Sequence, residues 1–411
     1  MIEILVMTLF FALSLLLLRQ EGLLKTGRAR VYAVVALLLA FELRWYMLDY
    51  ETLDYQNFLH PWVDYFRTNG GVRALKHSVG NYNVPYLYFL ALFSYTHYRD
   101  LYLIKYLSIA FDVLLSWSAM KLVSLITESA GKRLGAFLGT LLLPTVLLNS
   151  ALWGQCDSVY VALALVSIWC GLSQRPRLSL VFITLSFAFK LQAVFFMPLF
   201  FVLLTTKRIR WRQLWLVPAT YLLTVLPAVL AGRPLLDTLT LYLDQAGTVG
   251  SGLNYNSPSV YAFYRGIGDE AMLSRLGIIG AFVFCLLLLC CLSFSGRRCS
   301  ERTLLCAFTL CAVCVPLLLP HMHDRYFFGA DVLSFILVFL SPVLLPVPVL
   351  CSFASLLGYH AYLRMRYLLP MHYGTVALLI AAVLILAVML PELCAVPAQK
   401  GEKQKKQNPE N

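Results

Sequence analysis

Long apolar runs, separated by short polar or basic segments, make up most of the chain. A helix needs about 17–25 mainly apolar residues to cross the hydrocarbon core of a bilayer. The apolar residues follow one another without the alternation expected for the strands of a membrane barrel. The pattern therefore predicts an all-α polytopic membrane protein with about 11–13 transmembrane helices. Runs of spanning length lie near 2–18, 31–48, 101–126, 134–150, 157–172, 214–231, 274–294, 303–320, 326–345 and 373–394, and shorter or interrupted runs lie at 84–98, 178–206 and 346–363.

The composition supports the same class. The 411 residues are 60% hydrophobic and 13% charged, whereas a soluble domain is about 45–50% apolar and about 25% charged. So little charge cannot cover a water-facing surface of this size, which excludes an ordinary soluble enzyme and a disordered protein. Many of the 11 cysteines lie inside apolar runs. Thiols there act as small hydrophobic groups, so we expect no disulfide framework.

Basic residues mark one side of the membrane. The formal net charge is +12, which in a soluble protein would suggest a nucleic-acid partner. Here the basic residues form short clusters between apolar runs, as on the cytoplasmic side of membrane proteins, so we expect no nucleic acid. The clusters are Lys25, Arg28 and Arg30; Lys207, Arg208, Arg210 and Arg212; and Arg297, Arg298 and Arg302.

The domain organisation follows from these clusters. We predict one transmembrane domain over residues 1–394 and a disordered, basic cytoplasmic tail over 395–411. Two long polar segments, about 49–83 and about 232–272, then fall on the non-cytoplasmic side of what we take to be a bacterial plasma membrane. A short turn at about 320–327 lies on the same side.

Strict alternation of sides fails once along the chain. The short run 84–98 or the interrupted run 178–206 must therefore not cross the membrane simply. Arg364 and Arg366 also fit the positive-inside pattern poorly. We leave the number of spans around these segments open.

The first polar segment carries candidate chemistry. An ionised aspartate at a membrane surface can accept the proton of a sugar or lipid hydroxyl as that hydroxyl attacks. The alternative is that these acids cap helices or keep the loop hydrated. Aromatic residues recur every four positions at Phe58, Trp62 and Phe66, which predicts a short interfacial helix that Pro61 would start or kink. Four carboxylates lie in the segment: Asp49, Glu51, Asp54 and Asp64.

The turn His321-Met322-His323-Asp324-Arg325 is dense in polar groups for so apolar a chain. Arginine can bind a phosphate through two hydrogen bonds, and histidine can donate a hydrogen bond or a proton to it. The two histidines also form a potential metal pair, but no third ligand is evident. A plain interfacial turn is the structural alternative.

Polar residues also interrupt apolar surroundings elsewhere. Gln155 and Asp157 need water, a partner or a ligand near a bilayer boundary, or Asp157 caps a helix. Lys190 lies in the middle of an apolar stretch, so we expect it to pair, reach a cavity or mark a break between two half-helices; an anionic headgroup is one candidate partner. Lys105 and Asp112 are seven residues apart and are interpreted as a structural pair on one helix face.

Six motifs in order give a specific resemblance. They resemble bacterial membrane proteins similar to the second GPI mannosyltransferase and, more distantly, the dolichyl-phosphate-glucose glucosyltransferases, both of the GT-C class of integral-membrane glycosyltransferases. The resemblance spans roughly residues 45–330. The motifs are L-D-Y-x-x-F-x-x-P-W at 53–62, G-N-Y-N-x-P-Y-L-Y at 80–88, A-L-W-G-Q-C-D-S at 151–158, F-K-L-Q-A at 189–193, L-N-Y-N-S-P-S-x-Y at 253–261 and H-M-H-D-R-Y-F at 321–327.

The resemblance implies the site residues. Asp54 matches the acidic base of GT-C enzymes, with the other acids of the loop as substitutes. His321 and His323 would lie near the donor phosphate, Arg325 would add charge, and Lys190 is a weaker candidate there. Further substrate-binding candidates match the motifs without an assigned role: Asn81, Tyr82, Asn83, Gln155 and Asp157.

The resemblance also implies the reaction. A polyprenyl-phosphate sugar would donate a hexose, for which mannose is suggested by the nearest resemblance, to a lipid- or envelope-linked glycan on the non-cytoplasmic face. The chain lacks a D-x-D motif, which fits a lipid-phosphate donor. GT-C enzymes differ in metal use, so no cofactor is assigned and a divalent cation stays open. The alternative function is a transporter or flippase, which predicts broken helices in both halves, whereas one run looks broken here.

Overall fold

The computed structural model describes residues 1–248, 252–295 and 299–394. The predicted tail at 395–411 and the basic residues Arg297 and Arg298 lie outside the described residues. Two short strands, β1 (Asn254–Tyr255) and β2 (Met322–His323), pair in parallel. The α-helices are α1 (Ile2–Gln20), α2 (Gly27–Met47), α3 (His60–Thr68), α4 (Val84–Phe93), α5 (Asp100–Ser124), α6 (Ala130–Leu142), α7 (Pro144–Leu147), α8 (Asp157–Leu172), α9 (Pro176–Phe189), α10 (Pro198–Thr205), α11 (Leu216–Leu230), α12 (Leu235–Thr248), α13 (Glu270–Ser295), α14 (Glu301–Leu318), α15 (Phe328–Leu340), α16 (Pro346–Leu363) and α17 (His372–Cys394).

The helices confirm the predicted all-α polytopic membrane protein. Within the described ranges, 7 helices are long and apolar enough to cross a membrane, or up to 8 if one bent pair counts as a span. Among the shorter apolar helices, α8 is almost wholly buried inside the bundle and α15 is mostly buried. The figure of about 11–13 spans stays a prediction, because the shorter helices fall below the usual spanning length.

Contacts between loops define two ends of the helix bundle. The hydroxyl of Tyr98, just before α5, donates to Glu3 at the start of α1 (2.7 Å). The carboxylate of Glu21, just after α1, accepts from Lys121 late in α5 (3.0 Å) and from Arg133 early in α6 (2.8 Å). The end that holds Glu3 is called the upper end below, and the end that holds Glu21 is called the lower end.

The short run at 84–98 does not cross the bundle. α4 has 10 residues, about 15 Å of helix, which is half the thickness of a bilayer core. Beyond α4, the hydroxyl of Tyr95 accepts from the backbone of Val72 (2.9 Å), and Arg99 pairs with Glu51 (2.6 Å). Both ends of the run therefore lie beside the first polar loop at the upper end, which explains why strict alternation of sides fails here.

The run at 178–206 is broken in its middle, as predicted. α9 stops before Lys190, whose backbone is extended (φ −153°, ψ 133°). The chain then returns through the 3-10 helix Leu191–Phe196 and α10. After α10, Arg208 pairs with Glu301 at the start of α14 (3.1 Å). The broken run is thus two legs that meet at Lys190.

The run predicted at 134–150 is not one straight helix. It bends by 45° between α6 and α7, where Pro144 has no N–H to donate to the preceding turn. A π-helix, Leu148–Trp153, follows α7. The bend and the wider turn bring the residues after 148 to the upper end, where they join the candidate site.

The first polar loop contains the predicted short helices. A π-helix, Tyr55–Leu59, continues into α3, and Pro61 stands in the first turn of α3. The predicted apolar face is right only in part, because Phe66 is buried but Phe58 is 51% exposed. Since a π turn holds more residues than an α turn, it rotates Phe58 away from the face that a 3.6-residue period predicts.

Lys105 and Asp112 have structural contacts, as interpreted, but they do not bond each other. Residues seven apart share a helix face but lie about 10 Å apart along the axis, too far for a direct bond. The ammonium of Lys105 instead donates to the backbone carbonyls at the end of α2, those of Met47, Leu48 and Tyr50. Asp112 pairs with Arg44 of α2 (2.8 Å), and both side chains are fully buried.

Candidate active site

Asp54 differs from the other acids of the first loop. Its carboxylate Oδ2 accepts from Trp153 Nε1 (2.9 Å) and Gln155 Nε2 (2.7 Å), and the side chain is 17% exposed. The remaining acids pair with arginines, Asp49 and Glu51 with Arg99 beyond α4 and Asp64 with Arg67 three residues later. The hydrogen bond from Arg99 lowers the pKa of Glu51. Among these four acids, Asp54 alone is held by Trp153 and Gln155 and contacts Arg325.

The segment that holds Asp54 is shaped by an unusual backbone. The π-helix that ends at Trp153 is followed by Gly154 in the left-handed region (φ 75°), where a side chain would be strained. The turn aims Trp153 and Gln155 at Asp54 and starts α8 at Asp157. Asp157 does not cap α8, contrary to one of the two interpretations.

Asp157 and Lys190 form a buried ion pair. Their side chains are 0% and 8% exposed, and the ammonium donates to Asp157 Oδ1. Asn149 donates to the other oxygen of Asp157 (2.8 Å). The partner of Lys190 is therefore the Asp157 side chain of the same protein. Lys190 also marks the helix break and lines a cavity.

Arg325 stands between the carboxylates. Its Nη1 lies 3.7 Å from Asp54 and 3.5 Å from Asp324, and its Nε lies 3.8 Å from Asp157. The guanidinium also lies over the ring of Trp153, 5.3 Å from the ring centre. The Nε has no hydrogen-bond partner among the described residues. The Nε is buried as well as unpartnered, so an oxyanion would have to meet the guanidinium at its Nη atoms.

The two histidines of the turn have different surroundings. His321 Nδ1 lies 2.8 Å from the carbonyl of Gly252, and its backbone N–H donates to Leu253. The ring of His323 stacks on Tyr255, 4.7 Å between centres. Burial, followed by the charges of Arg325 and Lys190, lowers the pKa of His323 to about 4. Neutral His323 can donate a hydrogen bond to a ligand but brings no charge of its own at pH 7.

A cavity of about 580 Å³ joins these groups. Lys190, His321, His323 and Arg325 line it, with Leu319 and Ile278 among its apolar neighbours. A cavity of this size suits a small-molecule site. We call it the cationic cavity; its full lining is Asn81, Tyr82, Asn83, Phe189, Lys190, Leu191, Gln192, Tyr242, Tyr255, Ile278, Leu319, Pro320, His321, Met322, His323, Arg325 and Tyr326.

The structure places most of the predicted site residues near one another, but only some of them line the cavity. Asp54, Gln155 and Asp157 do not line the cavity and lie behind Arg325, which touches both Asp54 and Asp157. Tyr82 donates to Gln155 (3.3 Å) and so links the cavity to the Asp54 support. Asn83 caps α4 and donates to the carbonyl of Ala188, which is a structural role.

The roles of two aromatic residues of the site were not predicted from the sequence. Tyr362 at the end of α16 stacks on Trp153 (4.5 Å between ring centres) and lies next to Asp54. No motif contains Tyr362, so no sequence signal could have found it. Tyr255 lies in a quoted motif, yet its stacking on His323 depends on the pairing of β1 with β2.

The described residues contain no group of three or more His, Cys, Asp or Glu side chains arranged to hold a metal ion. A divalent cation therefore stays open. A family model, that of glycosyltransferase family 87, matches residues 81–320. The match includes Lys190 and the segment around Gln155, and it ends next to His321. No curated protein matches the sequence.

Proposed function

Because the chain belongs to glycosyltransferase family 87, we propose that it transfers a hexose from a polyprenyl-phosphate donor to a lipid- or envelope-linked glycan. The family and the apolar helices make it an integral membrane glycosyltransferase. The identities of the donor and the acceptor are part of the proposal. So is mannose as the sugar, which the likeness to the second GPI mannosyltransferase suggests.

The observation that carries the proposal is the contact of Arg325 with Asp54 at one wall of the cationic cavity. Two cations, Lys190 and Arg325, line this cavity, and no carboxylate among the described residues does. An anionic ligand is therefore favoured. The apolar residues of the lining, such as Leu319 and Ile278, suit the hydrocarbon next to a lipid phosphate.

The proposed reaction is a single in-line displacement. The acceptor hydroxyl oxygen forms a bond to the anomeric carbon, and its proton passes to the carboxylate of Asp54. The bond from the anomeric carbon to the phosphate oxygen breaks, and the lipid leaves as a phosphate monoester dianion. Arg325, with the neutral ring of His323 as a hydrogen-bond donor and His321 in the same cavity lining, stabilises the charge that grows on the leaving oxygen. One displacement inverts the anomeric centre.

A bound phosphate would also change His323. An anion in contact with an imidazole favours its protonated form and raises its pKa, against the burial that lowers it. Donor binding is therefore expected to be coupled to proton uptake at this ring. Lys190 is committed to Asp157 and would act mainly by its charge.

The charge distribution supports a non-cytoplasmic site. Lys25, Arg28 and Arg30 follow Glu21 at the lower end of the bundle. Arg208 and its neighbours lie at the start of α14, at the end opposite the turn that carries Arg325. By the positive-inside rule the lower end is cytoplasmic, so the proposal places Asp54 on the outer face of a bacterial plasma membrane.

The test uses purified protein in nanodiscs and a synthetic polyprenyl-phosphate mannose, with other hexoses in parallel. We expect Asp54→Asn to lower transfer by about 10²–10⁴-fold, because a positioned base contributes that much, while donor binding is retained. Asp64→Asn is the matched control, since Asp64 is an exposed acid of the same loop. Normal turnover by Asp54→Asn would overturn the assignment of the base.

A second experiment tests the phosphate contacts. His321→Ala and His323→Ala should weaken donor binding or slow transfer, because each removes a ring from the cavity lining. Unchanged donor affinity and rate in both variants would show that the phosphate binds elsewhere. Movement of a lipid-linked sugar across vesicles without transfer would favour the flippase instead.

A further inference from the structure

Two charged residues of opposite sign lie on the outside of apolar helices. Glu42 belongs to α2 and Arg275 belongs to α13, and both are exposed. Among the described residues, neither side chain has a hydrogen bond or an ion pair. A charge that faces hydrocarbon is costly and needs a partner. Neither the family match nor the proposed reaction gives these two residues a role.

Glu42 lines a groove between α1 and α2. The cavity there measures about 700 Å³. We call it the hairpin groove; its lining is Ile4, Met7, Thr8, Phe11, Leu38, Leu39, Phe41, Glu42, Leu43, Trp45 and Tyr46. The lining contains no lysine, arginine or histidine, so the groove offers the carboxylate of Glu42 no cation from the described residues. The lining is otherwise apolar except for Thr8, whose hydroxyl donates to the carbonyl of Ile4 (2.8 Å).

Arg275 belongs to an exposed stripe of α13. Met272, Leu276, Ile279 and Phe282 are exposed as well, and with Arg275 they follow the three- and four-residue spacing of one helix face. The apolar members of this face suit lipid as well as protein, so they do not identify a partner. The guanidinium does, because it calls for an anion at a place where a helix is otherwise apolar.

The two charges lie at a similar depth in the bundle. Glu42 is five residues before the last residue of α2, and Arg275 is five residues after the first residue of α13. At 1.5 Å per residue, each charge lies about 7.5 Å along its helix from the upper end. Ser274, next to Arg275, lies 3.5 Å from His321, which places this part of α13 at the upper end. Two copies with the same orientation in the membrane therefore bring the two charges to a similar level.

Glu42 and Arg275 lie on different sides of one copy. α2 packs on α1, α6 and α7, whereas α13 packs on α10, α14 and α17. A contact between the two residues therefore joins two copies through two different surfaces. Such a contact is heterologous, so the copies form a closed ring or an open row in the membrane plane.

We propose that copies of this protein associate in the membrane, with α13 of one copy in the hairpin groove of the next and Arg275 paired with Glu42. Charge complementarity at a similar depth is the observation that selects a second copy, because each copy carries both partners. The pair forms beside hydrocarbon, where opposite charges attract more strongly than in water, and the planar guanidinium can bind a carboxylate through two hydrogen bonds.

The test measures association of full-length copies in liposomes by fluorescence energy transfer. Copies that carry one of two dyes at the C-terminus are reconstituted together over a range of protein-to-lipid ratios. We expect the parent protein to associate, with an energy-transfer signal that saturates. Glu42→Arg and Arg275→Glu should each weaken association at least about tenfold, because each places like charges opposite one another.

Restored complementarity is the decisive measurement. The double variant Glu42→Arg/Arg275→Glu should associate like the parent. A mixture of the two single variants should also associate, because each variant supplies the charge that the other lacks. Glu128→Arg and Arg28→Glu are the matched controls, with exposed charges at the lower end, and they should leave association unchanged.

Three outcomes would overturn the proposal. The first is a parent protein that stays monomeric at every protein-to-lipid ratio. The second is association of the single variants that equals that of the parent, and the third is a double variant that stays dissociated at an unchanged melting temperature. If the parent stays monomeric and native mass spectrometry finds a lipid on it that Glu42→Arg lacks, the occupant of the hairpin groove is that lipid.

This inference is independent of the proposed reaction. Neither Glu42 nor Arg275 lines the cationic cavity, and the contacts of Asp54 involve neither residue. Asp54→Asn should therefore associate like the parent protein. Normal sugar transfer by Asp54→Asn would refute the base and leave the association standing, whereas a monomeric parent would refute the association and leave the base standing.

Discussion

Two acid–cation clusters in this protein use the same chemical groups in opposite ways. The first, called the closed pair, is Arg44 and Asp112, both 0% exposed. Asp112 also accepts from Ser150 and Ser158 (2.5 Å each), and Arg44 also donates to the carbonyls of Ala40 and Leu141. Every strong hydrogen-bonding position of the pair is thus occupied from within the fold.

The second cluster, called the open cluster, consists of Asp54, Asp157, Lys190 and Arg325. Arg325 contacts its carboxylates at 3.7 and 3.8 Å, longer than a hydrogen bond, and its Nε has no hydrogen-bond partner in the described residues. Arg325 and Lys190 border the cationic cavity. The contrast teaches that access and unused hydrogen bonds, more than the presence of charge in the membrane, distinguish a candidate site from a structural clamp.

The largest expected effect is on the closed pair. Asp112→Ala leaves Arg44 buried without a counter-charge, which should cost about 3–5 kcal/mol and prevent recovery of folded protein. The yield of monodisperse protein and its melting temperature in detergent measure this loss. The double variant Arg44→Leu/Asp112→Leu should recover most of it, since apolar replacements of a buried pair are often neutral. A double variant as unstable as the single one would contradict the description of the pair as a clamp.

Substitutions in the open cluster should lower the activity of the protein and leave its stability largely unchanged. In the proposed reaction Arg325 lies beside the leaving phosphate, so Arg325→Gln should lower transfer by about 10²–10³-fold while the melting temperature changes little. Arg325→Lys should restore part of the rate, because it restores the charge without the planar fork. If Arg325→Gln unfolds the protein as Asp112→Ala does, the distinction between the two clusters is lost.

A smaller effect is expected where α16 approaches the open cluster. Gly358→Ala places a Cβ 2.9 Å from the backbone oxygens of Asn256 and Asp324, which should cost about 1–3 kcal/mol and displace Tyr362 from Asp54. The melting temperature and the transfer rate both report the change. Gly280→Ala, where a Cβ meets nothing within 4 Å, is the matched control and should leave both unchanged.

The smallest effect concerns pH. The pKa of His323 is lowered to about 4 from 6.5, so the unfolded chain binds more protons than the folded one between these values. The contribution of neutral His323 to the free energy of unfolding is therefore complete above pH 6.5 and is lost as the pH falls toward 4. Between pH 7 and 5 the parent should lose about 1 kcal/mol that His323→Phe does not lose. Parallel pH profiles of melting temperature would contradict this sign; His372→Phe is the control.

The local sequence pattern was sufficient to predict the helices and some of the points where they begin, bend or break. Continuous apolar runs predicted the membrane class, Pro61 predicted a helix start or kink where the π-helix passes into α3, and a lysine in an apolar stretch predicted the break at Lys190. These features depend on hydropathy and backbone chemistry within a few residues. The same local reasoning placed Phe58 on the wrong face, because the π turn before α3 is not visible in a 3.6-residue period.

The bonding partners of the polar residues could not be predicted from the local sequence pattern. Lys105 pairs with carbonyls of α2, Asp112 pairs with Arg44, and Lys190 pairs with Asp157, 33 positions away. A charge in an apolar environment must find a counter-charge, so the need for a partner was predictable. Its identity depends on which helices become neighbours, which no single segment encodes.

For this chain the sequence alone determined the membrane class, the first-loop acids and the cationic turn, because composition and motif order act locally. Only the tertiary structure decided that Asp54 is the acid held by Trp153 and Gln155, and that Arg325 lies between it and the cavity. The physical reason is that these contacts join segments about a hundred or more residues apart, whose meeting depends on helix packing across the whole bundle.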